Sequence, residues 1–415
     1  MEEFTLDADG QQRLREYFDL IGEVLEFEER KTSYAVYAMG LFGDGERKSL
    51  EPIAARAYPD MNKVEAHYQR LQHFAVDSKW SDRDVRSAAA HYALKPMTTE
   101  RPVEYWIIDD TGFLKQGKHS VGVKRQYTGS AGKVTNCQIG VSLTVSTSTN
   151  HIPIDFELYL PRDWTDDPTR RKEARIPDEV TFKTKPELAL QMIDRALEDK
   201  IPPGIVLVDT AYGNSTKFRR ELRKRDLCYA VAIQSTTKVW RLDALERRCG
   251  GRTVTVAEYA NRIVEENDFR QTAWREGTKR KMTSRFAMRR VLPIADEGIA
   301  RAEREVLWLL MEWEDGEKKP NKFAFITAPK DITKKRLVQH IKQRWRTERA
   351  YQDLKGQLGL DHYEGRRWPG WHHHISVALS CYAFVVAEQA RRFPPSARWP
   401  YPNNTNGLAA SAPFR

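Results

Sequence analysis

The sequence predicts a mixed α/β protein with several domains, and three observations support this class. The chain has 415 residues, which is long enough for two or three domains. With 40% hydrophobic and 30% charged residues, its composition is typical of a soluble globular protein. The first part of the chain has helical periodicity, whereas strand-like apolar runs alternate with helical segments from Glu104 onward.

Residues 1–95 are predicted to form an all-α N-terminal domain. Apolar residues recur there at helical spacing, for example at Leu14 and Tyr17. Residues 49–74 predict a short helix, a turn that contains Pro59, and a longer helix. This arrangement fits a helix-turn-helix DNA reader and a plain helical bundle equally, so both interpretations stay open.

Residues 100–233 are predicted to form the first part of an α/β core. The strand candidates are EYWIIDD, VTNCQIGVSLTVST, HIPIDFELYL, GIVLVD and CYAVAI. Helices are expected near residues 185–199 and 215–225. The order is therefore three strands, a helix, a strand, a helix and a strand. This order matches an RNase H-like fold, with a mixed five-stranded sheet and helices on both faces.

Residues 234–330 interrupt this order and predict a β-rich insertion before the helix that is expected from about Ile332. The runs EVLWLLMEW and KFAFIT are separated by an Asp315-Gly316 turn and resemble a hairpin. Residues 271–290 hold seven Lys or Arg against one Glu. We expect this basic patch to bind DNA, chiefly through Lys279, Arg280 and Lys281.

Residues 331–392 are predicted to complete the core with two helices. One helix is expected from about Ile332 to Leu358, and an apolar one from about His374 to Arg391. Residues 393–415 are rich in Pro, Asn and Ser, which predicts a disordered tail.

Charge and cysteine content restrict the class of protein further. The net charge of +10 favours an anionic partner, nucleic acid above all. The four cysteines form no C-x-x-C pair, which argues against a disulfide framework and a cysteine zinc site and favours a cytoplasmic protein. The longest apolar runs are strand-sized, and the first ten residues are acidic. We therefore expect neither a membrane span nor a signal peptide.

Two aspartates follow apolar runs that predict buried strands. Asp109 follows residues 106–108, and Asp209 follows residues 205–208. Ligands of open α/β sheets bind at the carboxyl ends of the strands, so both acids are expected at one edge of the sheet. The alternative for either aspartate is an ordinary role as a helix N-cap or turn residue.

A third acid, Glu348, lies in the segment IKQRWRTERAYQDLKGQLGL. Arg344 precedes it by four residues and Lys355 follows it by seven, a spacing that predicts one shared helix face. A carboxylate flanked by two cations can bind a metal ion and anchor phosphates. The alternative is a solvated helix face with intrahelical ion pairs.

Together, Asp109, Asp209 and Glu348 resemble the DDE triad of RNase H-like transposases that bacterial insertion sequences encode. In particular, the chain resembles the insertion sequence seven-zero-one family, which is related to the group with a Y-x2-R-x3-E-x6-K signature. Arg344, Glu348 and Lys355 keep these intervals, and an isoleucine replaces the tyrosine. The resemblance extends to IIDDTGFLKQGKHSVGVKRQYTG, VDTAYGN and GLDHYEGRRWPGWHHH, roughly residues 100–380.

The resemblance implies that the three carboxylates bind two divalent cations, Mg²⁺ or Mn²⁺, for which carboxylate oxygens are suitable ligands. It implies cleavage of DNA at the ends of an insertion sequence, followed by strand transfer. Arg344 and Lys355 would contact phosphates. The expected partners are double-stranded DNA, as transposon end repeats and target, and a second copy of the chain in a synaptic complex, near the bacterial nucleoid. A catalytically silent DNA-binding regulator and a nuclease without strand joining are the alternatives on this fold.

Two further questions stay open from the residues alone. Strand alternation and the Asp-x-Thr pattern favour Asp109 over Asp110 as the first ligand. The insertion contains four tryptophans that could stack on a base or fill the core, namely Trp240, Trp274, Trp308 and Trp313. The consecutive histidines 372–374 do not predict a zinc site, because neighbours on a helix point about 100° apart. We expect them in a basic loop near DNA.

Overall fold

The computed structural model describes residues 6–58, 60–242, 253–276, 281–294 and 305–392. The chain forms two compact units. Unit 1 comprises Met1–Glu104, Asp109–Pro202 and Arg346–Arg415, and unit 2 comprises Tyr105–Ile108 and Pro203–Trp345. The structure is mixed α/β, as predicted. The units do not follow the predicted domain boundaries, which stay predictions. The predicted disordered tail, residues 393–415, lies outside the described residues.

The helices are α1 (Ala8–Leu25), α2 (Glu28–Phe42), α3 (Leu50–Ala57), α4 (Met61–Gln72), α5 (Asp82–Met97), α6 (Arg162–Thr165), α7 (Pro168–Ala174), α8 (Lys185–Glu198), α9 (Thr210–Gly213), α10 (Thr216–Lys224), α11 (Val256–Glu265), α12 (Lys334–Ile341), α13 (Trp345–Leu358) and α14 (Trp368–Arg392). A π-helical turn, His73–Asp77, follows α4. No described helix is long and apolar enough to cross a membrane.

The strands are β1 (Tyr105–Leu114), β2 (Lys124–Thr128), β3 (Lys133–Ser146), β4 (His151–Tyr159), β5 (Ile205–Val208), β6 (Tyr229–Ile233), β7 (Lys238–Arg241), β8 (Val254–Thr255), β9 (Arg270–Glu276), β10 (Lys281–Pro293), β11 (Leu307–Trp313) and β12 (Lys322–Ile326). β1 is shared by both units, because its first four residues belong to unit 2 and the rest to unit 1.

Unit 1 is built around α14, which is buried along nearly its whole length. The N-terminal helices contact it through buried polar groups. The Tyr17 hydroxyl donates to the Ser380 carbonyl at 2.8 Å, and the Tyr34 hydroxyl lies 2.9 Å from Ser380 Oγ. Arg13 forms a bidentate pair with the fully buried Glu388, with N–O distances of 2.8 and 2.6 Å. The N-terminal helices and the last helix therefore share one core.

The strands of unit 1 form an antiparallel group. β3 pairs with both β2 and β4. It also neighbours β1, where the Lys115 amide donates to the Asn136 carbonyl at 3.1 Å. At the other end the Glu104 amide donates to the Ser146 carbonyl at 2.8 Å, so β1 and β3 run in opposite directions.

Unit 2 combines parallel and antiparallel strands. β1 pairs in parallel with β5, with Ile107 opposite Leu207, and β5 pairs in parallel with β6. The pairing then becomes antiparallel from β6 through β12, β11, β10 and β7 to β8, with β9 also paired to β10. Strands expected in the insertion therefore continue the hydrogen bonding beyond β6. The core of this unit includes Tyr105, Trp308 and Leu337.

Two predicted elements differ from the structure. β1 continues to Leu114, so the expectation that Asp109 ends its strand is wrong; β3 provides pairing partners beyond the point where β5 ends. The single helix predicted over residues 332–358 is two helices, α12 and α13, separated by a turn at residues 342–344. The Lys342 amide donates to the Val338 carbonyl at 3.2 Å there. α12 lies in unit 2, whereas α13 lies in unit 1 from Arg346 onward, so the break falls next to the boundary between the units.

Candidate catalytic site

Asp109 lies in the middle of β1 and is 9% exposed. Its Oδ1 accepts a hydrogen bond from the Asp110 amide at 2.9 Å. Thr111, two residues further on, is also buried, whereas Asp110 between them is half-buried. This alternation agrees with the expectation that Asp109 and Thr111 share one face of the strand.

Asp110 has a partner on the other face of the strand. Lys185 Nζ, at the start of α8, lies 2.9 Å from Asp110 Oδ2. Both side chains are partly exposed. An ion pair of this kind stabilises the approach of α8 to β1 and gives Asp110 a structural role. The sequence contains no signal for this pair, because 75 positions separate the two residues.

Asp209 follows β5 directly and is half-buried. Its Oδ1 accepts from the Ala211 amide at 2.9 Å, so it is the N-cap of α9. The capping role that the sequence left open is therefore present. The cap uses one oxygen of the Asp209 carboxylate, and the helix that it caps, α9, has only four residues.

Glu348 is exposed in the first turn of α13, and Lys355 lies in its last turn. An acid near the N-terminus and a base near the C-terminus of a helix both interact favourably with the helix dipole. Arg344 lies in the turn before α13, so the prediction that it shares a helix face with Glu348 is wrong. The spacing of the three charged residues predicted one helix, because it contains no signal for the break between α12 and α13.

Lys355 joins α13 to β1. Its Nζ donates to Thr111 Oγ1 at 2.9 Å and to the Gly112 carbonyl at 2.7 Å. Burial lowers the pKa of Lys355 below its ordinary value, and the charge of Asp361 opposes this effect. The sequence analysis identified Lys355 as a phosphate contact but missed its bond to Thr111.

No group of three or more His, Cys, Asp or Glu side chains within the described residues is placed to hold a metal ion. Asp109 and Glu348 belong to unit 1 and Asp209 to unit 2. The donor types themselves suit a hard divalent cation, because all three are carboxylates.

The consecutive histidines are buried in unit 1 and form hydrogen bonds there. His373 contacts the Ala75 and Trp80 carbonyls through its two ring nitrogens, at 2.9 and 3.2 Å. His374 Nδ1 lies 2.7 Å from the Tyr37 hydroxyl. Burial lowers the pKa of both histidines to about 4. The expectation of a basic loop here is wrong, because residues 372–374 lie in α14.

The predicted DNA-binding patch is only partly described. Lys279 and Arg280 lie outside the described residues, and Lys281 is exposed at the start of β10. Arg289 lies 2.7 Å from Asp268 Oδ2, so part of the patch is neutralised locally. DNA binding by Lys281 stays a prediction.

The tryptophans of unit 2 have partners within the fold. Trp308 is 8% exposed, belongs to the core cluster, and donates to the Pro329 carbonyl at 3.0 Å. Lys342 lies over the Trp274 ring and Arg285 over the Trp313 ring, at 4.7 and 3.5 Å from the ring centroids. These contacts favour structural roles for Trp274, Trp308 and Trp313 over base stacking.

Comparison with protein families gives two matches. The model described as "DDE superfamily endonuclease" matches residues 22–281, well over half of the chain. The chain belongs to the DDE superfamily of endonucleases. A second model, "Transposase DDE domain", matches residues 183–384. The resemblance drawn from the sequence motifs is confirmed.

Among curated proteins, one relative of this DDE superfamily member is the "Probable transposase for insertion sequence element IS701" of Microchaete diplosiphon. The two sequences are 31% identical over 220 residues, which is 53% of this chain and 52% of that protein. The chain thus spans about half the length of the curated relative. DDE superfamily enzymes use divalent metal ions, which agrees with the carboxylate-only donor set.

Proposed function

We propose that this chain is a transposase that cuts DNA at the ends of an insertion sequence and joins them to target DNA. Asp109, Asp209 and Glu348 would hold two divalent cations, Mg²⁺ or Mn²⁺. When bound, the cations would activate water or a DNA 3′-hydroxyl for in-line attack on phosphorus and stabilise the leaving oxygen. The observation that supports the proposal most directly is the hydrogen bond from Lys355, on the helix that contains Glu348, to Thr111, on the strand that contains Asp109.

The contacts of α13 give its direction along unit 1. Arg346 donates to the Ser148 carbonyl at 2.7 Å, and the Tyr351 hydroxyl lies 2.7 Å from Ser142 Oγ on β3. Lys355 then reaches Gly112 on β1. Because β1 runs opposite to β3, contacts that proceed from Ser148 through Ser142 to Gly112 follow the direction of β1. We therefore infer that α13 runs along β1 from its beginning toward its end.

Helix and strand spacing then estimate where Glu348 lies. Glu348 precedes Lys355 by two helical turns and shares its side of α13, about 10 Å back along the axis. About three residues of a strand cover the same length. Three residues before Gly112 is Asp109, and three residues before Thr111 is Ile108. This estimate supports Glu348 and Asp109 as neighbours on one face.

The strand order supports the RNase H-like interpretation. In unit 1, β4 and β3 are antiparallel neighbours, and β3 neighbours β1. In unit 2, β1, β5 and β6 are parallel neighbours. A mixed five-stranded core of this class has an antiparallel group on one side of its first strand and parallel strands on the other. We propose this core, together with DNA binding by the N-terminal helices and a dimeric synaptic complex.

The other residues of the site would position the DNA. Lys355 has three N–H donors and uses two on β1, so its third could contact a phosphate. Arg344, with its planar fork, would contact a second phosphate. Asp209, as the N-cap of α9, would present its second oxygen from a fixed backbone position.

The experiment is cleavage of DNA that carries the native element ends, with and without Mg²⁺, followed by mapping of cut and joined products. We expect Mg²⁺-dependent cuts at the element boundary and strand-transfer products. The matched control is Asp209→Asn, because asparagine keeps the helix cap. This variant should bind the ends without cutting them. Normal cutting by Asp209→Asn would refute the site, and cutting without joined products would favour a nuclease. Binding without any cutting by the unaltered chain would favour a DNA-binding regulator.

A further inference from the structure

A basic hairpin follows the strand that carries Asp109. Between residues 111 and 154 the sequence contains five Lys or Arg and no Asp or Glu. Three of the five, Lys124, Arg125 and Lys133, belong to the β2–β3 hairpin and are exposed. Lys124 pairs with Asp163 at 2.8 Å. In the described part of the chain, the structure records no acidic partner for Arg125 or Lys133.

The hairpin also exposes an apolar pair. Tyr127 and Val134 are directly opposite each other in the β2–β3 pairing, so their side chains lie on one face. Tyr127 is 65% exposed and Val134 is 53% exposed. Arg125 points to the same face as Tyr127, since the two are separated by one residue in β2. We call Arg125, Tyr127 and Val134 the hairpin face.

The turn of the hairpin is fixed to β1 close to Asp109. Ser130 Oγ accepts from the Gly112 amide and lies within reach of Thr111 Oγ1, both at 3.2 Å. Gly112 must be glycine, because a Cβ there would lie 2.1 Å from Thr128 Oγ1. Thr111 is also the residue that Lys355 contacts. The hairpin is therefore held to the same stretch of β1 that carries the proposed catalytic aspartate.

From these observations we propose that the hairpin face binds an unpaired end of a DNA strand, with a base stacked on Tyr127 and phosphates near Arg125 and Lys133. An exposed tyrosine ring offers a surface for any base, and the cations complement the phosphate charge. Paired bases are already stacked inside the duplex, so unpaired nucleotides are the suitable ligand. This inference rests on the proposed function, because it takes DNA as the partner.

The test compares two DNA probes without divalent metal. One is a duplex of element-end sequence with a short single-stranded 3′ extension, and the other is the same duplex with a blunt end. Binding is followed by fluorescence anisotropy. Tyr127→Ala should weaken binding to the extended probe by about tenfold, within the range that loss of a stacking ring causes. Its binding to the blunt probe should change little, and Tyr127→Phe should bind both probes like the unaltered chain.

Arg125→Gln should weaken binding to the extended probe and lower the salt dependence of that binding by about one phosphate contact. Phe27→Ala is the control, because Phe27 is similarly exposed, at 58%, but belongs to the turn between α1 and α2. Equal melting temperatures of Tyr127→Ala and Tyr127→Phe would show that any difference in binding comes from the surface.

Unchanged binding of the extended probe by Tyr127→Ala would overturn this inference, even if the unaltered chain cuts DNA normally. A loss of self-association in Tyr127→Ala, with DNA binding intact, would assign the face to a second copy of the chain and would also overturn it. If the unaltered chain neither bound nor cut DNA, the proposed function would be wrong as well. The cleavage assay therefore separates the two failures.

Discussion

Lys355 Nζ donates a 2.9 Å hydrogen bond to Thr111 Oγ1, and this bond joins the helix that carries Glu348 to the strand that carries Asp109. The two residues are 244 positions apart in the sequence. Because one partner lies in a helix and the other in a strand, the bond fixes the position of α13 along β1. The predicted phosphate contact of Lys355 would add to this positioning role.

Lys355→Met should lower the free energy of unfolding by about 1–3 kcal/mol, because Thr111 and Gly112 would lose their buried donor. Metal-dependent DNA cutting should fall further than DNA affinity, since Glu348 would be less well placed. Chemical denaturation and cleavage assays measure the two effects. Gln352→Met, at an exposed position of the same helix, is the control. A Lys355→Met protein with full stability that lost only DNA affinity would support phosphate contact alone.

Asp109→Asn should abolish DNA cutting, whereas Asp110→Asn should retain most of it. Asp110 pairs with Lys185 at 2.9 Å, so its substitution should cost about 1 kcal/mol of stability or less. Single-turnover nicking of element-end DNA distinguishes the two. The opposite result, with cutting lost only in Asp110→Asn, would reverse the assignment of the ligand.

Under the proposed function, Mg²⁺ should raise the melting temperature of the chain, because an ion that binds only the folded state stabilises that state. Glu348→Gln removes one charge at an exposed position, so the variant should fold like the unaltered chain. Its melting temperature should respond much less to Mg²⁺. Ca²⁺ titrated in parallel tests whether the response is specific to the smaller ion. An equal Mg²⁺ response in Glu348→Gln would exclude Glu348 as a ligand.

Acid should destabilise unit 1 at mildly acidic pH through His374. Its Nε2 faces the Gly359 and Leu360 carbonyls, so Nε2 carries the proton and Nδ1 accepts from the Tyr37 hydroxyl. Burial lowers the pKa of His374 from 6.5 to about 4, and the charges of Lys115 and His362 act in the same direction. The unfolded chain therefore binds more protons in this range. The contribution of neutral His374 to the free energy of unfolding should be complete above pH 6.5 and should be lost as the pH falls toward 4.

Urea unfolding between pH 7.5 and pH 5 measures this effect. On unfolding, His374→Gln should take up about one proton fewer than the unaltered chain, because that variant lacks the titrating ring. His373 titrates similarly, so some pH dependence should persist in the variant. Identical pH dependence in both proteins would contradict the assigned role of His374.

Local sequence patterns determined much of this protein. Apolar runs bounded by turn residues located most strands, such as β5 and β6, because a buried strand needs a continuous apolar segment. The capping box at Thr184 and Glu187 starts α8 where periodicity places a helix. The motifs that contain Asp109, Asp209 and Glu348 resemble those of DDE transposases, and the family comparison confirmed this resemblance.

Tertiary structure decided what those residues contact. No local pattern reveals that Lys355 bonds to Thr111, that Asp110 pairs with Lys185, or that the histidines of α14 are buried against Tyr37 and Trp80. The break between α12 and α13 falls next to the boundary between the two units, which lies after Trp345. Secondary structure depends on neighbours along the chain, whereas these contacts depend on packing between segments hundreds of residues apart, and only the folded chain specifies that packing.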